Sequence, residues 1–316
     1  MPAIDHLIQA VSFLQDHSDT ATLALARFGE ADGTPVFRSL NISKDVADEF
    51  RSMASERAKK VSRLRDTGDL KLIKYTAGYK PDEHEIEYVE LSDDPLGELV
   101  NSIPRPTQIV LLGDLDDFVD SIRFYMLLLS GGNRRAILFR RYSRNKELLR
   151  SKNLVIRLLG DRYERLAEPA FQFDSEFDAL LFKGHLFVLN KSNFQHIFRY
   201  YELLREVAEQ SLDAIGKAVP IANFDEFRDS CRGHLQKLEK LRNISQKPYL
   251  KKITIKDIKR TIAKFKLKVG IEKADGVEKI VFDKDDRWAI LNLLDDAYLG
   301  SEMTGINYEA NSKREV

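Results

Sequence analysis

The stretch Phe177–Glu202, FDALLFKGHLFVLNKSNFQHIFRYYE, marks the point where the chain changes from one kind of structure to another. Its first half contains two apolar runs, Ala179–Phe182 and Leu186–Leu189. The turn sequence Lys183-Gly184-His185 separates them, and this order predicts a β-hairpin. This hairpin is the last strand pair before a long helical region. The β-rich part of the chain is therefore predicted to end with it.

The second half of the stretch predicts a helix. Ser192 and Gln195 stand at the spacing of a capping box, in which the two side chains satisfy free backbone amides at a helix start. Apolar positions then recur in steps of four and three, which indicates one long helix: Ile197, Tyr201, Leu204, Ala208, Ser211 and Ile215. We therefore predict two regions, residues 1–190 and residues 191–316.

Residues 1–190 are predicted to be a mixed α/β region rich in strands. Helical spacing of apolar residues predicts helices over Ile4–Leu14 and Val46–Leu64. Further β-rich runs between turn residues predict strands at Thr22–Arg27, Val36–Ile42, Leu70–Tyr75, Glu85–Leu91, Ala136–Phe139, Leu154–Leu158 and Tyr163–Leu166. Leu70–Tyr75 and Glu85–Leu91 are interpreted as the two arms of a hairpin.

Residues 191–316 are predicted to be mainly helical. After the long helix, the pattern predicts helices over Phe224–Ile244, Ile255–Leu267 and Asp286–Leu299. One short strand pair, Gly270–Glu272 with Lys279–Phe282, turns at Asp275-Gly276. The expected fold class is α+β, with an antiparallel or mixed sheet in a β-rich N-terminal half and a helix-rich C-terminal half.

Composition predicts a reduced, cytoplasmic protein. The 316 residues include one cysteine, Cys231, which excludes an intrachain disulfide framework. The longest uncharged apolar block, Phe124–Leu129, is much shorter than the ~20 residues that span a bilayer. The N-terminal residues have no basic segment before their apolar positions, so they indicate an amphipathic helix and not a signal peptide.

The charges cancel over the whole chain but are sorted along it. Fifty basic and fifty acidic side chains give no net charge. Between Arg232 and Lys268 thirteen basic residues face two acidic ones, a net of +11, whereas residues 81–120 carry a net of −11. Such sorting produces a local potential that can attract a polyanion.

The segment Thr254–Lys268 predicts a helix that presents cations. Thr254 and Asp257 form a capping signature, after which Ile255, Ile258, Ile262 and Phe265 make one apolar stripe. Basic residues fall on the opposite side, so DNA phosphates are their expected target. The primary candidates are Lys251, Lys252, Lys256, Lys259, Arg260 and Lys264. The alternative is a solvated lysine-rich face without a ligand.

A second basic cluster lies in the sequence NRRAILFRRYSRNKELLRSK. Aromatic residues Phe139 and Tyr142 are interleaved with it, a combination that favours stacking as well as phosphate contact. The secondary DNA-binding candidates are Arg134, Arg135, Arg140, Arg141 and Arg144. The alternative is a surface strand whose arginines pair with upstream carboxylates.

Catalytic chemistry has little support in the sequence. Asp114, Asp116 and Asp117 supply oxygen ligands of the kind that magnesium prefers, which leaves a metal-dependent nuclease as an alternative function. The six histidines show no metal spacing, and no nucleophile motif is present. We therefore assign no catalytic residue, no metal and no cofactor.

The C-terminal run Trp288–Lys313, WAILNLLDDAYLGSEMTGINYEANSK, resembles the closing signature of the KwaB family, the soluble subunit of the bacterial Kiwa anti-phage system. The matching positions are Leu294-Asp295-Asp296, Tyr298-Leu299, Ser301-Glu302, Thr304-Gly305, Tyr308 and Asn311-Ser312-Lys313. The stretch Phe177–Glu202 is similar to that family as well. The resemblance covers essentially the whole chain, although only the C-terminal run is specific.

The resemblance implies a DNA-binding effector that impedes phage DNA replication and gene expression. It also implies a homodimer that docks on a KwaA-like membrane protein, which would recruit it to the inner membrane without inserting it. No catalytic residue is carried over from the family. A protein-only interaction adaptor of the same complex remains the other alternative, with the acidic residues Asp82–Glu98 as its docking surface.

Overall fold

The computed structural model describes residues 2–16, 18–29, 33–76, 79–94, 96–113, 118, 121–142, 156–159, 162–165, 171–274, 276–284 and 288–310. The chain forms two compact units. The first unit comprises Met1–Tyr75 and Pro81–Arg199, and the second comprises Thr76–Lys80 and Tyr200–Val316. The α+β class is confirmed, with the large sheet in the N-terminal half and most helices in the C-terminal half. The division at residue 190 stays a prediction.

The first unit is built on an eight-stranded sheet. Its helices are α1 (Ala3–Asp16), α2 (Lys44–Asp66), α3 (Leu96–Asn101) and α4 (Lys191–Ile197). Its strands are β1 (Thr20–Phe28), β2 (Pro35–Ser39), β3 (Lys71–Lys74), β4 (Glu85–Glu90), β5 (Phe124–Gly131), β6 (Arg134–Arg141), β7 (Ile156–Leu159), β8 (Arg162–Arg165), β9 (Ala179–Phe182) and β10 (His185–Val188). The order in the sheet is β2-β1-β5-β6-β9-β10-β4-β3, and β7 pairs separately with β8.

The central strand β5 has no counterpart in the sequence-based strand assignments. Its side chains are buried on both faces of the sheet, so its sequence shows no alternation of polar and apolar residues. Tyr125, Leu127 and Leu129 belong to the core beneath α1 and α2. Phe124 and Met126 lie on the opposite face of the sheet and are buried as well.

The interpretation of β3 and β4 as a hairpin is wrong. The two strands pair in parallel, with Lys71 opposite Glu85 and Lys74 opposite Tyr88. A parallel pair cannot be closed by a tight turn, so the chain between them leaves the sheet and returns. Glu87 of β4 is buried and its carboxylate lies 2.8 Å from the ammonium group of Lys191.

The single long helix after residue 190 is also corrected. The helix cap is Asn190, whose side chain accepts a hydrogen bond from the Asn193 amide, and not Ser192. Helix α4 ends at Ile197, and Arg199 adopts a left-handed backbone conformation with φ of 48°. A residue in that conformation interrupts a right-handed helix, so α5 (Tyr200–Ala218) begins anew.

The second unit is mainly helical. After α5 it contains α6 (Phe224–Cys231), α7 (Leu235–Gln246), α8 (Ile255–Phe265) and α9 (Ala289–Leu294), with hairpins β11–β12 (Gly270–Ala274, Val277–Val281) and β13–β14 (Tyr298–Gly300, Asn307–Glu309). The continuous helix predicted over residues 224–244 is wrong, because residues 232–234 separate α6 from α7.

The final helix is also shorter than predicted. It ends at Leu294 and not at Leu299, because Asp296 takes φ of 54° and the chain enters strand β13; the predicted start at Asp286 lies outside the described residues. Helices α5 and α7 pack against each other, and α9 packs on α7.

Candidate nucleic-acid interface

Helix α8 starts at Ile255, as its sequence predicts, and ends at Phe265, two residues before the predicted Leu267. The Thr254 hydroxyl accepts a hydrogen bond from the Asp257 amide, and the Asp257 carboxylate accepts one from the Thr254 amide, so the capping box is complete. These bonds to Thr254, with smaller contributions from Arg260 and Lys256, lower the pKa of Asp257. Lys266 follows as the cap, adopts a left-handed conformation and donates its amide to the Ile262 carbonyl.

The apolar stripe of α8 holds the helix against the second unit. Ile258 is only 2 % exposed, and Ile255, Ile262 and Phe265 are partly buried. The opposite side is exposed at Lys256, Lys259, Arg260 and Lys264. The structure therefore brings the helical cations together on one solvent-facing side of an anchored element.

Two of the predicted phosphate contacts are already paired with carboxylates. The Arg260 guanidinium lies 2.6 Å from the Asp257 carboxylate one turn earlier. Lys259 pairs with Glu278 of strand β12. These are exposed ion pairs, which contribute little to stability and exchange easily for another anion. They reduce the unopposed charge of the helix without removing the cations from the surface.

The remaining cations of this region are unopposed within the described part of the chain. Lys251 ends a 3-10 turn over Pro248–Lys251, and Lys252 follows it directly. None of the following exposed lysines forms an ion pair with a described carboxylate: Lys251, Lys252, Lys256, Lys264, Lys266 and Lys268. We call these six residues the lysine face. Lys266 and Lys268 extend it beyond the candidates that the sequence singled out.

Other cations of the Arg232–Lys268 segment are buried or paired with carboxylates. Lys237 is 1 % exposed and donates to the Ser230 carbonyl at 2.9 Å. Lys247 lies 2.8 Å from the Asp295 carboxylate, and Lys240 lies 3.6 Å from it. Arg232 is paired with Glu209 and Asp229. The net charge read from the sequence therefore overstates the positive charge of the surface.

Arg140 of the secondary cluster binds carboxylates within the first unit. Its guanidinium makes two hydrogen bonds to Asp174, at 2.9 and 2.8 Å, and one to Asp178 at 2.7 Å. The Asp178 side chain is completely buried. Burial opposes the charge of Arg140, but the bonds to the two carboxylates outweigh it and raise the pKa of this guanidinium. This arrangement fastens strand β6 to the segment before β9.

The other arginines of that cluster do not share one surface. Arg134 lies over the Phe13 ring at 5.2 Å, whereas Arg135 donates to the Pro104 carbonyl at 3.2 Å. Arg141 is exposed, with a long contact of 3.4 Å to the Asn193 amide oxygen. Alternation along β6 places Arg134 and Arg135 on opposite faces of the sheet. Arg144 lies outside the described residues.

The C-terminal signature forms a polar network that the sequence did not predict. Asp295 accepts Lys247 through both its side chain and its backbone carbonyl, at 2.8 and 3.0 Å. Asn292 accepts Lys240 at 2.5 Å and donates to Glu309 of strand β14. Burial lowers the pKa of Lys240, and the charge of Asp295 opposes that change.

No pattern along the chain links the partners of this network. Lys240 and Lys247 are distant from Asn292 and Asp295 in sequence, so the pairs could be found only once α7 and α9 had been placed together. The network attaches the signature segment to α7. It thereby gives Asp295 a structural role.

Metal-binding clusters and the single cysteine can be assessed among the described residues. No group of three or more His, Cys, Asp or Glu side chains among them is arranged to hold a metal ion. Burial raises the pKa of the Cys231 thiol to about 11, so the thiol stays protonated at neutral pH and is a poor nucleophile. The nuclease candidates Asp114, Asp116 and Asp117 lie outside the described residues.

Fold and site together define an α+β protein whose second unit displays lysines from an anchored helix. A sequence profile described as Kiwa protein KwaB-like matches residues 119–304, which is more than half of the chain. The chain therefore belongs to the KwaB family. Membership of this family implies a role in Kiwa anti-phage defence.

Two further comparisons found no relatives. No curated protein matches the chain, and no solved structure matches it. Across the portions of the chain that the structure describes, no helix combines the length and apolar character that crossing a membrane requires.

Proposed function

We propose that this KwaB-family protein acts in anti-phage defence by binding DNA through the lysine face, and that it thereby impedes phage DNA replication and expression. The observation that carries the proposal is the exposure of these six lysines around a helix whose apolar stripe faces the protein. Cations that face solvent without carboxylate partners can neutralise phosphates at little cost.

The contacts we propose are to phosphates and not to base edges. Lysine carries a compact charge on a flexible stem, whereas arginine has the planar fork that reads guanine. Only Arg260 among the helical candidates is an arginine, and it is paired with Asp257. Binding should therefore depend weakly on sequence and steeply on salt.

The membrane association and the homodimer remain proposals that rest on the family resemblance. A KwaA-like membrane protein would recruit this chain to the inner membrane from the cytoplasm. Co-purification with such a partner after nuclease treatment would support recruitment, and its loss on nuclease treatment would indicate that DNA bridges the two proteins.

The experiment that tests DNA binding is a salt titration of affinity. A variant with Lys251, Lys252, Lys256 and Lys264 changed to Gln removes up to four phosphate contacts. Because each contact contributes about 0.9 to the slope of log affinity against log salt, the slope should fall by up to about 3.6. Fluorescence anisotropy with a short duplex measures it.

The matched control changes four exposed lysines elsewhere to Gln: Lys44, Lys71, Lys74 and Lys80. It alters net charge by the same amount, so a general charge effect would lower both slopes equally. Equal slopes for the wild type and the lysine-face variant would remove this surface from the proposal. The same two variants should differ in protecting cells against phage.

A further inference from the structure

The hairpin β13–β14 exposes apolar side chains to an unusual degree. Met303 at its tip is 98 % exposed, and Ile306 next to the tip is 53 % exposed. Leu299 and Tyr308, which face each other across the two strands, are 47 % and 51 % exposed. Exposed apolar side chains that lie together mark an interaction surface more often than single exposed ones do. We call these four residues the apolar face.

The two sides of the hairpin differ in what they contact. Alternation along a strand puts Tyr298 and Glu309 on one side and the pair Leu299 and Tyr308 on the other. The first side contacts the second unit, since the Tyr298 ring lies 5.9 Å from Phe265 and Glu309 bonds to Asn292. Leu299 and Tyr308 therefore lie on the outward side of an anchored hairpin, and Met303 and Ile306 are exposed in the segment that joins its strands.

The hairpin is attached beside the lysine face. Phe265, which Tyr298 contacts, lies in the last turn of α8 between Lys264 and Lys266. The Lys264 ammonium group lies 5.1 Å from the centre of the Phe265 ring. The root of the hairpin therefore lies at the end of α8 that carries Lys264 and Lys266, and a partner large enough to reach both elements can contact cations and apolar side chains.

We infer that β13–β14 is an apolar wedge that contacts the bases of the DNA whose phosphates the lysine face neutralises. This inference rests on the proposed function. DNA offers phosphates to lysines and, in its minor groove and between its base pairs, apolar surface to side chains such as Met and Ile. The aromatic ring of Tyr308 can also stack on an exposed base.

The dimensions of the hairpin agree with this role. Met303 follows Tyr298 by five positions and lies in a turn over residues 302–304, so the tip reaches less than roughly 15 Å beyond the root of the hairpin. That distance is about four base steps at 3.4 Å each. A phosphate held by Lys264 or Lys266 would therefore lie within a few nucleotides of the base step that the tip contacts.

A second copy of the chain fits the apolar face less well. Stable interfaces bury about 800 Å² on each partner, and four side chains, half of whose surface is already covered in most cases, supply much less. The neighbouring lysines would also repel the same lysines of a copy related by two-fold symmetry. An anionic partner avoids that repulsion.

The wedge predicts a preference for DNA that is easily unstacked. Separating a base step costs least at a mismatch, so a duplex with one mismatch should bind about threefold tighter or more than a matched duplex. Glu302 beside the tip is exposed and opposes phosphate, so Glu302→Gln should strengthen binding to both duplexes.

The test uses a duplex with 2-aminopurine, whose fluorescence rises when its stacking is lost. Wild type should raise the fluorescence and prefer the mismatched duplex. The double variant Met303→Ala/Ile306→Ala should lose both effects while its salt slope stays unchanged. The matched control, Val110→Ala/Leu111→Ala, removes two exposed apolar side chains of the first unit and should behave as wild type.

The outcomes separate the wedge from the proposed function. If wild type binds DNA with a steep salt slope but leaves the fluorescence unchanged, the wedge is wrong and DNA binding stands. If wild type does not bind DNA, both fail. A smaller molar mass of the Met303/Ile306 variant in light scattering would assign the apolar face to a second copy. If wild type binds anionic lipid vesicles and the Met303/Ile306 variant does not, the apolar face contacts a membrane. Either result overturns the wedge.

Discussion

At the scale of single residues, the surroundings of a charged side chain decide what it does. Arg140 and Lys256 are both cations within basic clusters. Arg140 binds two carboxylates, one of them completely buried, and Lys256 faces solvent. A buried carboxylate needs its partner far more than a solvated one does. The same type of charge is therefore structural at one position and available to a ligand at the other.

Arg140→Gln should destabilise the protein. The change leaves the buried Asp178 carboxylate without its cation, and breaking such a buried pair costs about 3–5 kcal/mol. Asp178 would keep its bonds from the Arg141 amide and the Asn193 side chain. Urea denaturation measures the loss. Arg134→Gln, on the same strand but exposed, is the control and should cost much less.

A measurement of DNA affinity distinguishes a structural role of Arg140 from the DNA contact that the sequence predicts. We expect Arg140→Gln to leave the salt slope of DNA binding unchanged wherever the variant is folded. Near-normal stability together with weaker DNA binding would instead return Arg140 to the DNA surface.

His6 makes the stability of the first unit depend on pH. Its Nδ1 lies 3.0 Å from Nδ1 of His185, a residue of strand β10 that is 7 % exposed. Burial, the His185 ring, Lys183 and the amino terminus lower the pKa of His6 from its usual 6.5, and Asp5 opposes them. The unfolded chain therefore binds a proton at His6 more readily than the folded protein does.

The free energy of unfolding should consequently fall as the pH drops through about 6.5. His6→Gln should weaken this dependence, and urea midpoints at pH 7.5 and 5.5 measure it. His196→Gln changes an exposed histidine and should keep the wild-type dependence. An undiminished fall in the His6 variant would show that another group is responsible.

At the scale of elements, contacts between distant segments hold the helical unit together. Lys240 of α7 donates a hydrogen bond to Asn292 of the C-terminal signature. Lys247, which follows α7 directly, donates one to Asp295 of the same signature. The Tyr249 hydroxyl donates to the Leu294 carbonyl at the end of α9. Burial and the nearby aspartates raise the pKa of Tyr249, so this hydroxyl remains a donor at neutral pH.

Asp295→Asn should destabilise the second unit, because Lys240 and Lys247 lose the only carboxylate we find beside both of them among the described residues. Leaving a partly buried charge without its partner costs about 1–3 kcal/mol. Glu302→Gln is the control, since Glu302 belongs to the same signature and is exposed. Equal urea midpoints for the two variants would contradict a structural role for Asp295.

At the scale of the whole molecule, the basic segment divides into internal and external charges. Lys240 and Lys247 are bound within the second unit, whereas the lysine face is open to solvent. The internal lysines lie in and just after α7, and the lysine face begins at Lys251, because α7 packs against α5 and α9 whereas α8 exposes one side to solvent. The positive charge available to a polyanion is the external part alone.

This division can be measured with two single substitutions. Lys256→Gln should lower the salt slope of DNA binding by about 0.9 and leave the urea midpoint unchanged. Lys240→Gln should lower the urea midpoint and leave the salt slope unchanged, because its ammonium group bonds to Asn292. If both variants lowered the salt slope of DNA binding equally, the positive charge of the whole segment would attract DNA at a distance, without specific contacts at the lysine face.

The sequence by itself predicted the features that depend on neighbours along the chain. The α+β class, the β9–β10 hairpin and helix α8 with its capping box were all evident, since caps, turns and apolar periodicity act over a few residues. The family membership was evident for a related reason, because its signature lies in one continuous run. The same logic missed β5, whose burial on both faces leaves no periodicity.

Only the tertiary structure decided which distant groups meet. In the folded chain β3 pairs with β4 in parallel, and the predicted long helix is interrupted at Arg199. Arg140 pairs with two aspartates, and Lys240 and Lys247 pair with Asp295 of the signature. The strand pairing and the ion pairs join residues that are far apart in sequence, and their free energies depend on burial that no local pattern encodes. Whether a cation is held or exposed was therefore settled by the packing of the folded chain.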